Sequence, residues 1–386
     1  MNRIAIKMLV GDRAKYLGII MGITFASLLI TQQSAIFVGL MTRTYSSITD
    51  LALPDIWVMD PKVQFIDDIK PMQSTKLLNV RGVEGVDWAV PLYKGLLKAR
   101  LDNGNFQTVN VIGLDDATLI GGPPEMVAGK LADLRRNEGV IVDAVGAADK
   151  LAKPARTPGG PTIPLTIGDT LEINDRRATV VGISNNSRSF QSQPTVYTTY
   201  SRALGFAPPE RRLLSFVLVK AKPGVSLDEL SARIERATGL AAHTSDEFKQ
   251  ITVDYFMKYT GIPINFGIAV VLGFIVGTAI AGQTFYNFTL DNLRQFGALK
   301  AMGAQNGTLL KMILLQAVTV GLIGYGLGVG IASFIGYAAR GSELAFRMPW
   351  QLLVLSAGAV ALICTLTALL SIWKVIRLEP AIVFKG

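Results

Sequence analysis

The chain has 386 residues, half of them hydrophobic and only 17% charged, with a formal charge of +9. Such a balance is too apolar for a soluble domain of this length and points to an integral membrane protein. The basic excess flanks apolar runs and forms no patch interleaved with aromatics, so no nucleic-acid partner is expected.

Residues 1–15 carry Ile4, Ile6, Met8 and Leu9 among basic residues, which suits an interfacial helix on the inner leaflet. Four uncharged runs then meet the length of about 20 residues that a membrane helix needs: Tyr16–Thr42, Tyr259–Leu290, Met312–Ala339 and Met348–Trp373. The first is longer than a cleavable signal core and has no small-residue cleavage site after it, so it is expected to remain as an anchor. With four spans both termini share one face. Arg3, Lys7, Arg13, Lys15, Arg294, Lys300, Lys311, Lys374, Arg377 and Lys385 all fall on that face, which the positive-inside rule makes cytoplasmic.

Glycines four apart allow helix backbones to approach closely: Gly18 and Gly22 in span one, Gly273 and Gly277 in span two, and Gly324, Gly326, Gly328 and Gly330 in span three. Of the last four, Gly326 and Gly330 are taken as the packing pair. Gln32 and Gln33 are expected to face protein. Cys364, the sole cysteine, lies inside span four and reads as a small buried hydrophobe.

Between spans one and two, residues 43–258 have the charges, prolines and short apolar runs of a water-soluble α+β domain, which the topology puts outside the cytoplasm. Strands are predicted at Ile56–Met59, Val86–Val90, Leu96–Arg100, Thr108–Leu114, Gly139–Val142, Thr170–Ile173, Ala178–Ile183, Thr195–Tyr197 and Phe216–Lys220. Two lobes are expected, with a break around the Pro- and Gly-rich Lys153–Pro164. Ser226-Leu227-Asp228-Glu229 reads as a capping box opening a helix through about Ala237, and Thr244-Ser245-Asp246-Glu247 as another opening a helix through Tyr259. The second helix places Asp254 and Lys258 in i,i+4 register, and Pro263 marks a kink or restart before span two.

Ser184–Gln193 has no hydrophobic period and reads as a mobile loop, with Phe190 tucked back on its own domain. His243, the only histidine, has no partners at ligand or relay spacing, so neither a metal nor a catalytic role is assigned. No G-x-x-x-x-G-K-[ST] phosphate loop, G-x-S-x-G or H-E-x-x-H occurs, and no ionisable residue sits mid-span. The chain is therefore expected to be neither an ATPase by itself nor an enzyme of another kind.

The polar insert 291–311 between spans two and three holds Asp291, Arg294 and Lys300. Leu293, Phe296 and Leu299 recur on one side of a short helix that Gly303 ends. The run Arg294-Gln295-Phe296-Gly297-Ala298-Leu299-Lys300-Ala301-Met302-Gly303-Ala304 resembles the R-E-I-G-x-L-K-A-x-G-A segment of ABC-transporter permeases of the MacB/FtsX type, with Gln295 in place of the usual Glu. Val109–Asp115, Ile167–Ile173 with Ala178–Ile183, and the Arg377-Leu378-Glu379-Pro380-Ala381 tail are similar to further segments of that family. The form of Leu299–Gly303 is closest to its DevC-like branch.

The resemblance implies a membrane α-helical fold with four transmembrane helices and a large α+β extracytoplasmic domain between helices 1 and 2. It implies a division into an interfacial helix (1–15), spans at 16–42, 259–290, 312–339 and 348–373, the domain at 43–258, a coupling segment at 291–311, a periplasmic loop at 340–347 and a tail at 374–386. Leu293, Arg294, Gln295, Phe296, Gly297, Leu299, Lys300, Met302 and Gly303 would dock on the ATPase. It further implies a bacterial inner-membrane location with both termini cytoplasmic. Its partners would be a separate ATPase dimer carrying ATP and Mg, a second copy of this chain, membrane lipids, a periplasmic adaptor and an outer-membrane channel. Function by resemblance is export of a hydrophobic or amphiphilic substrate; an FtsX-like regulator of a cell-wall hydrolase and a lipoprotein-releasing permease remain alternatives.

Overall fold

A computed structural model describes residues 2–51, 53–155 and 160–376. In chain order its helices are α1 Asn2–Gly11, α2 Arg13–Thr44, α3 Ser46–Asp50, α4 Thr75–Arg81, α5 Ala144–Ala148, α6 Tyr200–Phe206, α7 Leu227–Thr238, α8 Ser245–Tyr259, α9 Ile262–Asp291, α10 Leu293–Ala301, α11 Asn306–Ala338 and α12 Trp350–Ile376. The strands are β1 Ile56–Met59, β2 Val86–Arg100, β3 Phe106–Leu114, β4 Glu125–Ala128, β5 Gly139–Asp143, β6 Thr170–Ile173, β7 Arg176–Asn185, β8 Thr195–Thr199, β9 Phe216–Ala221 and β10 Ala241–Thr244. They form two units. One takes the chain up to Leu40 and from Gly261 onward, and the other is Met41–Thr260.

In the first unit α2, α9, α11 and α12 are each long and apolar enough to cross a membrane. Helix is the form a spanning segment must take, because it satisfies every backbone N–H and C=O internally. Ile19, Ile23, Ile30, Phe285, Phe288, Met312 and Ile363 pack inside, while Phe334 is 71% and Leu322 68% exposed. So much apolar surface turned outward needs hydrocarbon as its solvent. Pro263 lies in the first turn of α9, where its missing N–H costs nothing, so the chain restarts after Tyr259 and the span predicted from Tyr259 begins at Ile262.

The second unit is built on β2, a strand of 15 residues. Its first half pairs with β9, which continues through β1 to β10; its second half pairs with β3 and, at Ala99–Arg100, with β6. Pairings β3–β8, β8–β5, β5–β7 and β7–β6 then return to β2, closing a ring of six strands. Its interior is apolar, with Leu97, Val109, Val111, Val140, Leu171, Ile173, Val180 and Val196 among its members. In the other half β1 is buried along its whole length. Ile56 and Val58 meet Leu230 and Ile234 of α7, and Trp57 meets Phe248 of α8 and Phe216.

The structure corrects four sequence expectations. Val86–Val90 and Leu96–Arg100 are one continuous strand. The break expected at Lys153–Pro164 is bridged: Lys153 and Ile163 pair antiparallel, and α5 before it and β6 after it belong to the same unit. Ser226 caps α7 by position but makes no side-chain cap bond. At α8 the predicted box is complete, since Thr244 Oγ1 accepts from the Glu247 N–H at 3.3 Å and Glu247 Oε2 accepts from the Thr244 N–H at 2.8 Å. Asp254 accepts from Gln250 at 2.7 Å rather than pairing with Lys258, which stands over the Tyr259 ring.

Candidate functional site

Helix α10 follows α9 after a single residue. Asn292 makes that turn: its side-chain N–H donates back to the Phe288 carbonyl at 2.8 Å, and its carbonyl accepts from the Gln295 and Phe296 N–H groups. Phe296 is fully buried, and Leu293 and Leu299 pack beside it on the apolar core of the first unit. Arg294 and Gln295 are exposed, Lys300 is half-buried in the last turn, and Met302 is 76% exposed. Gly303 adopts φ +94°, which lets its N–H reach the Lys300 carbonyl while the Ala304 N–H reaches that of Leu299. A left-handed residue here stops the helix, and glycine takes it without strain. Gly297 is buried on the inner side, so the nine predicted docking residues divide between an anchored face and an offered face.

A second set of residues joins this surface. Lys15, at the start of α2, pairs with Asp12 at 3.0 Å and also with Asp291 at the end of α9. Its hydrogen bond holds the Asp12 carboxyl below the usual carboxylate range. Beside the cluster lies a cleft of about 570 Å³, walled by Ile4, Lys7 and Met8 of α1 on one side and by Asp291, Asn292 and Gln295 on the other. Helix α1 is held there by Ala5 and Leu9, both buried, and by the Gln316 amide donating to the Ala5 carbonyl at 2.8 Å. In the sequence Lys15 and Asp291 register only as topology charges. Their separation along the chain hides the pairing, and no local signal could expose it.

The glycines sort by face. A Cβ at Gly277 would stand 2.2 Å from the Ala26 Cβ, at Gly22 2.8 Å from Ile280, at Gly273 3.0 Å from Leu29 and at Gly18 3.3 Å from Thr284, so these four line the α2–α9 crossing. On α11 it is Gly324 and Gly328 that meet α2, with an added Cβ at 2.7 Å from Ile23 and 2.5 Å from Ser27. Gly326 and Gly330 meet nothing within 4 Å, which corrects their assignment to packing. Positions two residues away from a packing pair fall on the opposite side of a helix.

In the second unit the 184–193 segment is tied down, contrary to the mobile loop expected. Ser184 and Asn185 belong to β7, the Asn186 amide donates to the Tyr197 hydroxyl, the Ser187 N–H donates to Asp50 at 3.0 Å, and the Phe190 ring meets that of Phe256, tilted, at 4.8 Å. His243 sits in β10 opposite Trp57. No cluster of three His, Cys, Asp or Glu side chains able to hold a metal occurs among the described residues. The Arg377–Ala381 tail lies outside the described residues.

Four apolar helices, a short amphipathic helix offered between the second and third, and an α+β unit inserted after the first define a polytopic membrane protein of the permease class. Comparison with known proteins makes this specific. The model for the MacB-like periplasmic core domain matches residues 16–237, and that for the FtsX-like permease C-terminal region matches residues 267–380. The chain belongs to this family: it is an ABC transporter permease of the MacB/FtsX type.

An uncharacterised ABC transporter permease of Mycobacterium tuberculosis is 24% identical over 236 residues, covering 61% of this chain and 63% of the relative. The macrolide export ATP-binding/permease protein MacB of Salmonella typhi is 24% identical over 233 residues, covering 55% of this chain and 34% of that protein. The match thus spans less than two thirds of either relative. Among solved structures, the periplasmic region of MacB from Actinobacillus actinomycetemcomitans aligns with a TM-score of 0.37 at 17% identity, over 55% of this chain and 97% of that one.

Proposed function

We propose that this chain is the membrane subunit of an ABC-type export complex that converts ATP-driven motion of a separate ATPase into movement of its α+β unit. In this reading two copies pair, an ATPase dimer carrying ATP and magnesium grips their α10 helices, and closure is passed through α2 and α9. The α+β unit, on the periplasmic side of a bacterial inner membrane, then expels a hydrophobic or amphiphilic substrate into an adaptor and an outer-membrane channel. The termini and α10 are cytoplasmic. The chain itself performs no catalysis, and the separate ATPase follows the DevC-like arrangement.

The observation that carries the reading is the two-faced α10. Its apolar side is rooted in the span core, while Arg294, Gln295 and Met302 are exposed. A rigid helix rooted at one face passes a push to the spans instead of absorbing it. The ion cluster of Lys15 with Asp12 and Asp291 supports this, because it ties the beginning of α2 to the end of α9.

Reconstitution of the chain with its ATPase in liposomes tests the proposal. Arg294→Glu or Lys300→Glu should abolish stimulation of ATP hydrolysis while the protein still inserts and remains monodisperse. Unchanged stimulation removes the docking assignment. Retained stimulation without movement of any amphiphile, together with activation of a wall hydrolase, replaces export by the regulatory reading.

A further inference from the structure

Helix α8 is fastened at its beginning. Besides the Thr244–Glu247 box, the Trp57 indole donates to Ser245 Oγ at 3.2 Å, Ser245 Oγ donates to the Pro54 carbonyl at 3.0 Å, and the Phe248 ring packs against Trp57 and Phe216. From Phe248 to Phe256 the helix runs on for about 12 Å, at 1.5 Å per residue. A rod held only at its base swings there when its tip is pushed. The tip of α8 is three residues from α9.

Two loops take hold of that far half. Phe65, from the 60–71 loop, stacks on Tyr255 with centroids 4.3 Å apart and planes 22° apart, and meets Phe256 edge-on at 5.6 Å. Phe190, from the 186–193 segment, meets the same Phe256 at 4.8 Å. Each loop is nailed to the sheet by polar anchors. Asp67 of the first forms an ion pair with Lys94 of β2, whose side chain is only 3% exposed. The second is bound through Asn186 to Tyr197 of β8, through Gln193 to Gln107 of β3 at 2.9 Å, and through the Ser192 carbonyl to Lys150 at 2.6 Å. It also takes the end of α3, where Asp50 receives the Ser187 N–H. Withdrawing a lysine from water in mid-strand is costly unless its partner is held in place, and the loop it holds is the one that carries Phe65.

We infer that Phe65 and Phe190 are the jaws of an aromatic clamp that locks the far half of α8 to the sheet, so that stem and sheet move as one rigid body. They are positioning residues for force transmission, and their role rests on the reading given under Proposed function. Without the clamp, ATP would still be hydrolysed and α8 would hinge at Phe248, with the sheet left behind.

The test uses the full chain in nanodiscs, on a Cys364→Ala background, with spin labels at Met257→Cys on α8 and Thr170→Cys on β6. Double electron–electron resonance should give one narrow distance distribution. Each ring pair removed lowers the ratio of clamped to released α8 by about threefold to tenfold, the size of an aromatic pair. Phe65→Ala with Phe190→Ala should therefore broaden the distribution, and Phe65→Tyr with Phe190→Tyr should keep it narrow. Lys94→Met, which frees one jaw's loop without touching α8 or its rings, should broaden it less and guards against a folding defect in the double variant. A narrow distribution in the double alanine variant, or a broad one in the unsubstituted chain, overturns the clamp. The distances are read without nucleotide, so failure of the clamp and failure of ATPase docking are separate results.

Discussion

At Gly277 a single methyl group decides whether α2 and α9 can cross. Gly277→Ala drives a Cβ into Ala26 and should destabilise the protein by about 1–3 kcal/mol, the range for overpacking a filled site. Gly326→Ala and Gly330→Ala place the same methyl in open space and should leave stability unchanged or slightly raised, as alanine is the better helix former. Melting in detergent followed by size exclusion separates the two cases, and equal losses at all three positions would contradict the facial sorting. Asp50 makes a pH-dependent counterpart. Burial holds its carboxyl above the ordinary 3.8, with the Ser187 contacts pulling the other way. A folded-state carboxyl raised above its unfolded value binds more protons folded than unfolded across that window, so its contribution falls as pH rises from about 3.8. Asp50→Asn keeps an acceptor for the Ser187 N–H and removes the buried charge. The variant's melting temperature relative to the parent should therefore rise towards neutral pH and converge near pH ~4; an offset independent of pH would refute it.

Helix ends test the difference between a motif and its geometry. Two capping boxes are written in the sequence, at Ser226 and at Thr244, and the chemistry of each predicts the same reciprocal bonds. Only Thr244 makes them: Ser226 has the same extended cap backbone, φ −65° and ψ 131°, but its side chain forms no cap bond. Thr244→Ala should cost about 1 kcal/mol and Ser226→Ala a few tenths at most, measured by chemical denaturation of the full chain. Comparable losses would mean that both caps operate in solution. The strands show the same division. The runs at Thr170–Ile173 and Phe216–Lys220 were legible because β-branched and apolar residues alternate or cluster there. β4 (Glu125–Ala128) and β10 (Ala241–Thr244) are not predicted from the sequence and take their extended form on the partners β7 and β1.

For the molecule as a whole, the function proposed depends on the α+β unit lying across the bilayer from α10. Gln191→Cys, at an exposed position of the 186–193 segment, should react with a membrane-impermeant thiol reagent applied to intact spheroplasts, while Cys364, buried among the spans, should not. Labelling of Gln191→Cys only after lysis would reverse the topology, and the export reading would fall with it.

Composition and hydropathy were sufficient for the four spans, the α+β insertion and the short helix α10, since length, apolar run and helical spacing are local properties that any backbone must respect. The family was legible for the same reason, in an unbroken run from Arg294 to Ala304. What the chain order could not disclose is every relation between residues far apart in it: Lys15 with Asp291, Lys94 with Asp67, Phe65 and Phe190 on α8, and which glycines face a neighbour. Those are decided when helices cross and strands pair, because a contact depends on which side of an element a residue occupies once its partner is in place.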